Sequence, residues 1–210
     1  MKKYILFDND GVLVETEIWY YEASKRALKE YFNINLQFDD YMDIMTSGGG
    51  VWVAALNATD EQIKIARDKR NEYYQHYLKT KNITIDNVHD ILNELSKRYK
   101  MGIVTTSRRV DFEIIHNNRG IVPFMDFVLC EGEYKRAKPF PDPYLKGLEM
   151  FGATKEEAIV VEDSQRGLIS AYEANIDCIV VHNDFTKTQD FSKAKYKIKK
   201  LDDLIPLLLK

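Results

Sequence analysis

From residue 83 onwards, short apolar runs alternate with segments of helical character. The runs are strand-sized and fall at 101–105, 126–130, 158–161, 178–181 and 196–198. The segments between them carry apolar residues at helical spacing, and the one at 109–119 is followed by Gly120, a frequent helix terminator. Parallel strands are normally joined by crossover helices. The alternation therefore predicts an α/β fold with a doubly wound, Rossmann-like parallel sheet.

Residues 16–82 have a different pattern, with no convincing strand. Aromatic and small apolar residues recur there at helical spacing, and Thr59-Asp60-Glu61-Gln62 is a capping-box pattern in front of a long helical segment. We therefore predict an α/β core formed by residues 1–15 and 83–210 and a helical-bundle cap formed by residues 16–82. The aromatic residues of the cap are assigned to its own core.

Composition and charge exclude several classes of protein. With 33 acidic against 30 basic residues, the net charge of −3 offers no basic field for nucleic acid. The apolar runs are far shorter than the ~20 residues that span a bilayer, so no membrane partner is expected. The two cysteines, Cys130 and Cys178, make neither a disulfide framework nor a metal-ligand spacing. We expect a cytoplasmic protein; its oligomeric state is left open, and a monomer is compatible with the sequence.

Two carboxylates, Asp8 and Asp10, follow the apolar run at 4–7. That run has the character of a buried parallel strand, so Asp8 falls at its carboxyl end, where open α/β sheets bind ligands. Gly11 indicates that the chain turns at this point. Crowded carboxylates repel each other unless a proton or cation joins them, and oxygen ligands favour Mg²⁺. Taken alone, the motif is also compatible with an exposed acidic turn.

Polar residues at three further places follow predicted strands or lie in the loops after those strands. Thr105 closes the run at 101–105, and Lys138 stands in the sequence Lys-Pro-Phe-Pro-Asp-Pro. Glu162 and Asp163 follow the run at 158–161. Singly, these are an ordinary helix cap, a solvated lysine and a polar turn. In this order they resemble the signatures of the haloacid dehalogenase superfamily, and the continuation Val-Glu-Thr-Glu at 14–17 is similar to its phosphatases and β-phosphoglucomutases.

The resemblance implies covalent catalysis with Mg²⁺ as the cofactor. Asp8 would be the nucleophile and Asp10 the general acid and base, while Lys138 would neutralise negative charge. The metal would be held by Asp8, by the main-chain carbonyl of Asp10 and by Asp163. Glu162 would bind the metal directly or support the ligands, and the sequence leaves both roles open.

Substrate contacts are expected in two places. The hydroxyl of Thr105 and the amides of Thr106 and Ser107, at the start of the next helix, make a plausible phosphate cradle. In the cap, β-phosphoglucomutases carry a His where this chain has Tyr20. They also carry an Arg in a cap loop, and the matching loop here contains Gly49 and no Arg. Tyr20 and Gly49 are the cap positions assigned to the substrate.

The predicted activity is Mg²⁺-dependent hydrolysis of a small soluble phosphomonoester, of the sugar phosphate or phosphoglycolate type, through an aspartyl-phosphate. A β-phosphoglucomutase-like phosphosugar mutase is the alternative within the family; the absent His and Arg weaken it, although Lys69 or Arg70 could supply a cation from the cap. An alternative of another class is an inactive scaffold that binds a phosphorylated metabolite or a protein. The presence of all the charged signature residues argues against that scaffold.

Overall fold

A computed structural model describes residues 1–46, 50–183 and 185–209. Its six strands in these ranges are β1 Tyr4–Phe7, β2 Lys100–Val104, β3 Phe127–Leu129, β4 Ala158–Glu162, β5 Asp177–Val181 and β6 Tyr196–Ile198. The α-helices there are α1 Glu17–Phe32, α2 Phe38–Thr46, α3 Asp60–Thr80, α4 Val88–Ser96, α5 Arg109–His116, α6 Asp142–Phe151, α7 Gln165–Glu173 and α8 Leu204–Leu208. Short 3₁₀ segments cover Val51–Ala54, Val122–Phe124 and Leu201–Asp203. Within the same ranges, no helix combines the length and the apolar character that a bilayer crossing requires.

The chain divides into two compact units. The core unit consists of Met1–Glu15 and Thr84–Lys210, and the helical unit consists of Thr16–Ile83. The chain leaves the core unit after Glu15 and returns to it at Thr84.

The core unit is built on a parallel sheet with the strand order β3-β2-β1-β4-β5-β6. Strand β1 is central: Leu6 pairs in register with Gly102 of β2 and with Val160 of β4. The predicted α/β fold with a doubly wound parallel sheet is confirmed. Because parallel strands end at a common edge, the residues that follow β2, β1 and β4 are brought side by side.

The centre of this sheet is fully enclosed, which explains the continuous apolar run at its start. Ile5, Leu6 and Phe7 are all inaccessible to solvent, as expected for a parallel strand covered on both faces. The core around Leu6 includes Val104 and Val160 from the neighbouring strands, Tyr144 and Leu148 from α6, and Leu168 from α7. The side chains of β1 therefore pack in the core on both faces of the sheet, and its carboxyl end lies beside the carboxyl ends of β2 and β4.

The helical unit is held together mainly by α1 and α3. Its buried residues include Ala23, Ala27 and Leu28 of α1, Tyr41 of α2, and Ala66, Tyr74 and Leu78 of α3. At the start of α3 the predicted capping box is present: the Thr59 amide donates to Gln62 Oε1 at 2.9 Å, and the Gln62 amide donates to Thr59 Oγ1 at 3.3 Å. These two bonds satisfy amides that the helix itself cannot pair.

Two helix boundaries in the core unit are set by residues with a left-handed backbone. The residue that precedes α4 is Asn87, with a φ of 60°, a conformation that Asn tolerates better than most residues. The helix expected over 109–119 ends at His116. Asn118 and Gly120 both adopt positive φ, at 60° and 68°, which stops the helix there.

Candidate active site

Asp8 is the first residue beyond β1, at the end of the central strand of the sheet. Its amide donates to the carbonyl of Val161 at 2.8 Å, so the backbone still follows β4 at this residue. The side chain of Asp8 is nearly buried, with 8% exposure for the residue as a whole, whereas Asp10 is half-buried. The sequence-predicted carboxylates therefore lie at the edge of the sheet where ligands bind in open α/β folds.

The predicted turn after Asp10 is present and depends on glycine. The Leu13 amide donates to the carbonyl of Asn9 at 2.8 Å, and the Gly11 amide donates to the carbonyl of Val14 at 2.7 Å. Gly11 has a φ of +80°, and a Cβ at this position would lie 2.1 Å from Oδ2 of Asp163. Only glycine therefore lets the turn approach the carboxylate of Asp163 so closely.

We expect Gly11→Ala to destabilise the protein and to reduce its activity together. The matched control is Gly132→Ala, because Gly132 has a similar φ of +87° but, among the described residues, no heavy atom within 4 Å of its added Cβ. The control should lose about 1–2 kcal/mol for the left-handed backbone alone. Gly11→Ala should lose more, since it also displaces Asp163. Urea unfolding and steady-state kinetics measure both effects; equal destabilisation with unchanged activity would contradict the role given to this contact.

Lys138 is the cation of the site and is almost completely buried, with 6% exposure. Its Nζ donates to Asp8 Oδ1 at 2.6 Å, to Glu162 Oε1 at 2.7 Å and to the carbonyl of Val104 at 2.9 Å. The three bonds use all the donors of the ammonium group. Lys138 therefore fixes the side chain of Asp8 and joins the ends of β1, β2 and β4.

Both carboxylate oxygens of Glu162 are occupied by hydrogen bonds. Oε1 accepts from Lys138 and, at 2.7 Å, from the hydroxyl of Tyr144. Oε2 accepts from the amides of Asp163 and Ser164 at 3.1 and 3.2 Å and from Ser164 Oγ at 3.1 Å. A carboxylate so fully engaged holds its neighbours in place. Its geometry favours a supporting role for Glu162 over direct ligation of a metal.

Burial and charge act in opposite directions on this cluster. Burial raises the pKa of Asp8, and repulsion from Glu162 and Asp10 adds to the rise against the attraction of Lys138. Burial alone would raise the pKa of Glu162 as well, but Lys138 and the hydrogen bonds hold it below its usual value. Burial alone would lower the pKa of Lys138, and its two carboxylate partners raise it instead.

The cluster carries more buried negative than positive charge. Asp8, Glu162 and Asp163 are all buried, and oxygen atoms of the three lie within 4.8 Å of one another. Lys138 is the cation bonded to Asp8 and Glu162. An all-oxygen donor set with excess negative charge suits a hard divalent cation such as Mg²⁺. The residues therefore fit the predicted metal.

Hydroxyl groups that follow β2 contact the second carboxylate. Oδ2 of Asp10 accepts hydrogen bonds from Thr105 Oγ1 at 3.1 Å and from Ser107 Oγ at 2.7 Å. The amide of Ser107 donates to Thr105 Oγ1 at 3.0 Å. Thr106 and Ser107 lie in the loop before α5, which begins only at Arg109. The structure thus brings Thr105 and Ser107 to Asp10. The phosphate cradle assigned to the Thr105 hydroxyl and to the amides of Thr106 and Ser107 stays a prediction.

A buried pair, Asn9 and His116, stands behind Asp10 and was not expected from the sequence. Nδ2 of Asn9 donates to Asp10 Oδ2 at 3.2 Å, and Oδ1 of Asn9 lies 2.7 Å from Nε2 of His116. Because a carbonyl oxygen can only accept, Nε2 carries the proton. Burial lowers the pKa of His116 to about 4, with Arg119 adding to the effect and Asp10 opposing it. Neutral His116 thereby orients the Asn9 amide towards Asp10.

We expect His116 to make the protein less stable in mild acid. Its pKa falls from 6.5 to about 4 on folding, so between these values the unfolded chain binds the extra proton. The free energy of unfolding should therefore decrease as the pH falls from 6.5 towards 4, by on the order of 2–3 kcal/mol. His116→Gln should lack this component in urea titrations, whereas His76→Gln, at an exposed position of α3, should retain it. The same pH dependence in all three proteins would contradict the assignment.

In the helical unit, the predicted substrate position Tyr20 belongs to an aromatic cluster. The Tyr20 ring packs edge-on against Tyr74 at 5.2 Å, and the buried guanidinium of Arg70 lies 4.3 Å from the centre of the Tyr20 ring. Lys69 forms an ion pair on the surface of α3. Gly49 lies outside the described residues. The substrate roles of Tyr20 and Gly49 stay predictions.

Comparison with family models decides the family. The model for haloacid dehalogenase-like hydrolases matches residues 5–181, from the first residues of β1 to the end of β5. The chain belongs to the haloacid dehalogenase-like hydrolase family. The family and the hydrolytic enzyme class inferred from the four signatures are thereby confirmed.

Individual relatives and solved structures are similar to this chain over most of its length. Pyrophosphatase PpaX of Bacillus mycoides is 25% identical over 209 residues, covering 97% of this chain and 95% of the relative. Pyrophosphatase PpaX of Oceanobacillus iheyensis is 27% identical over 183 residues, covering 84% and 82%. Among solved structures, CbbY from Rhodobacter sphaeroides in complex with phosphate superposes with a TM-score of 0.85 at 22% identity, covering 97% and 96% of the two chains. A putative phosphoglycolate phosphatase from Lactobacillus plantarum gives 0.81 at 18% identity, covering 99% and 100%.

Proposed function

We propose that this haloacid dehalogenase-like hydrolase is a Mg²⁺-dependent phosphatase that hydrolyses a small phosphorylated metabolite through an aspartyl-phosphate on Asp8. One observation carries the proposal: Asp8 lies at the end of the central strand, 2.6 Å from a buried lysine, in a cluster with a second buried aspartate. A carboxylate can attack a phosphate dianion only where positive charge neutralises both. The names of the PpaX relatives, which are pyrophosphatases, support phosphate chemistry as well.

Asp8 and Asp163 would hold Mg²⁺ through their carboxylates, and the main-chain carbonyl of Asp10 would complete the protein ligands. When bound, the metal supplies positive charge to the phosphoryl group and to the attacking oxygen. Glu162 would keep Lys138 and the Asp163 backbone in place through its five hydrogen bonds. Supporting groups of this kind set the position of metal ligands.

In the first step, an oxygen of Asp8 forms a bond to phosphorus while the bond from phosphorus to the leaving oxygen breaks. Protonated Asp10 gives its proton to that leaving oxygen. In the second step, Asp10 takes a proton from water, whose oxygen attacks phosphorus and displaces the Asp8 carboxylate. Thr105 and Ser107 donate to Asp10 Oδ2 and thereby fix the side chain that moves the proton.

The test is hydrolysis of p-nitrophenyl phosphate by the full chain, with Mg²⁺ and with excess chelator. We expect turnover only with Mg²⁺, and loss of turnover in Asp163→Asn. The matched control is Asp177→Asn, because Asp177 begins β5 at the opposite edge of the same sheet. Full activity in chelator, or equal effects of the two substitutions, would refute the metal assignment.

Hydrolysis and phosphate transfer within a sugar are distinguished by the product. With β-glucose 1-phosphate and a trace of the bisphosphate, a phosphatase releases free phosphate faster than it forms glucose 6-phosphate. We expect this result, because a mutase must grip a distal phosphate and keep water from the aspartyl-phosphate. This chain has Tyr20 in place of the mutase His and no Arg in the matching cap loop. Interconversion with little free phosphate would replace the phosphatase proposal by the mutase. The cytoplasmic location and the oligomeric state stay predictions.

A further inference from the structure

Arg166 stands in the first turn of α7, directly after the acidic pair that ends β4. The start of this helix is fixed by Ser164, whose Oγ accepts a hydrogen bond from the Gly167 amide at 3.1 Å. Nη2 of Arg166 lies 3.5 Å from Oγ1 of Thr106, in the loop that follows β2. The guanidinium thus reaches from the end of one strand to the end of another.

The two ends that Arg166 connects lie on either side of β1. In the sheet, β1 is hydrogen-bonded to β2 on one side and to β4 on the other. Neighbouring strands are about 4.8 Å apart, so β2 and β4 are separated by roughly 10 Å. The side chains of Arg166 and Thr106 together cross this distance at the end of β1. Asp8 and Asp10 follow that end. A cationic group is therefore placed over the edge at which the proposed reaction takes place.

Unlike Arg108 and Arg109, which follow β2 in the same region, Arg166 has no acidic partner among the described residues. Arg108 pairs with Asp111, and Arg109 pairs with Glu133. The contact of Arg166 with a neutral hydroxyl at 3.5 Å is at the limit of hydrogen bonding and engages one of its five donors weakly. Arg166 as a whole is half-buried. A planar group with free donors in this setting matches a carboxylate or a phosphate.

We propose that Arg166 binds a second anionic group of the substrate, a few bonds from the phosphoryl group that Asp8 attacks. This inference rests on the proposed function and narrows its substrate class. A phosphate ester of a neutral alcohol offers nothing for Arg166 to bind. A phosphoanhydride carries a second phosphoryl group in reach, and a phosphomonoester of a hydroxy acid carries a carboxylate. Both compounds provide a second anionic group with oxygen atoms that can accept hydrogen bonds from Arg166.

The test compares wild type with Arg166→Gln on inorganic pyrophosphate, 2-phosphoglycolate and p-nitrophenyl phosphate in the presence of Mg²⁺. The first two compounds are assayed both as substrates and as competitive inhibitors of p-nitrophenyl phosphate hydrolysis. For at least one of them, Arg166→Gln should lower kcat/KM or raise the inhibition constant. We expect this change to be roughly 10- to 100-fold larger than the fall in kcat/KM for p-nitrophenyl phosphate. Arg166→Lys should fall between the two proteins, because it keeps the charge and loses the planar fork.

The control is Arg136→Gln, since Arg136 is paired with Asp142 on the surface of the core unit and should leave the ratios among the three compounds unchanged. A loss confined to pyrophosphate identifies a second phosphoryl group, and a loss confined to 2-phosphoglycolate identifies a carboxylate. Equal losses on all three compounds, or no recognition of either anionic compound by wild type, would overturn the inference. Absence of Mg²⁺-dependent p-nitrophenyl phosphate hydrolysis in wild type would instead defeat the proposed function itself.

Discussion

Replacing Asp8 by Asn should reduce turnover of p-nitrophenyl phosphate below about one per cent of wild type, because the amide keeps the shape of the side chain but cannot attack phosphorus. The fold should survive. Lys138 keeps its bonds to Glu162 and to the carbonyl of Val104 in this variant. The substitution also removes a carboxyl group whose pKa is raised in the wild-type protein by burial and by repulsion from Glu162 and Asp10. Steady-state kinetics and thermal unfolding of the same preparation measure both outcomes.

Two further measurements make this prediction specific to Asp8. Asp177→Asn, at the opposite edge of the sheet, should keep wild-type turnover, which controls for the loss of a carboxylate as such. Mass spectrometry of protein quenched during turnover should locate the phosphoryl group on the peptide that contains Asp8. Residual activity above about one per cent, or a phosphorylated aspartate elsewhere, would contradict nucleophilic attack by Asp8.

The location of the site could be predicted from the sequence because a parallel sheet collects its strand ends. Asp8, Thr105 and Asp163 each follow a strand-sized run, and the structure places those strands side by side as β1, β2 and β4. Lys138 stands in a loop and could be assigned only through the resemblance. At Gly167 of α7, a Cβ would lie 1.7 Å from Glu162 Oε1, a contact that only the folded structure shows.

The contacts that orient these residues could not be predicted. His116 is 107 residues from Asn9 in the chain and occupies an ordinary apolar position of an amphipathic helix, so nothing local indicates their hydrogen bond. Arg166 likewise resembles any exposed arginine in a first helical turn until the strand order brings Thr106 opposite to it. Asn87 precedes α4 but its side chain does not cap that helix; Nδ2 of Asn87 instead donates to Oδ1 of Asp202 at 2.8 Å, 115 residues away in the chain. Long-range packing decides each of these cases.

Lys138→Met should unfold more readily than any other single-residue variant considered above and should also be inactive. Methionine retains much of the length of lysine but leaves Asp8 and Glu162, both buried, without the cation that bonds to each. Breaking a buried ion pair by removing one partner costs about 3–5 kcal/mol, because an uncompensated charge remains. Urea unfolding at neutral pH measures this loss. Lys146→Met is the control: Lys146 is paired with Glu149 on the exposed face of α6, where an ion pair contributes roughly 0–1 kcal/mol.

The pH dependence separates lost charge from lost packing in Lys138→Met. In wild type, Lys138 holds the pKa of Glu162 below its usual 4.5, so this stabilisation is fully present above pH 4.5 and disappears as the pH falls through the lowered value. In the variant, burial and mutual repulsion act without the lysine and raise the pKa of both carboxyl groups. Their protonation relieves the buried charge, so the difference in stability between the two proteins should be largest near neutral pH and should shrink towards pH 4. A difference that stays constant over this range would indicate that Lys138 stabilises the protein by packing its aliphatic chain, and the electrostatic account of the site would be wrong.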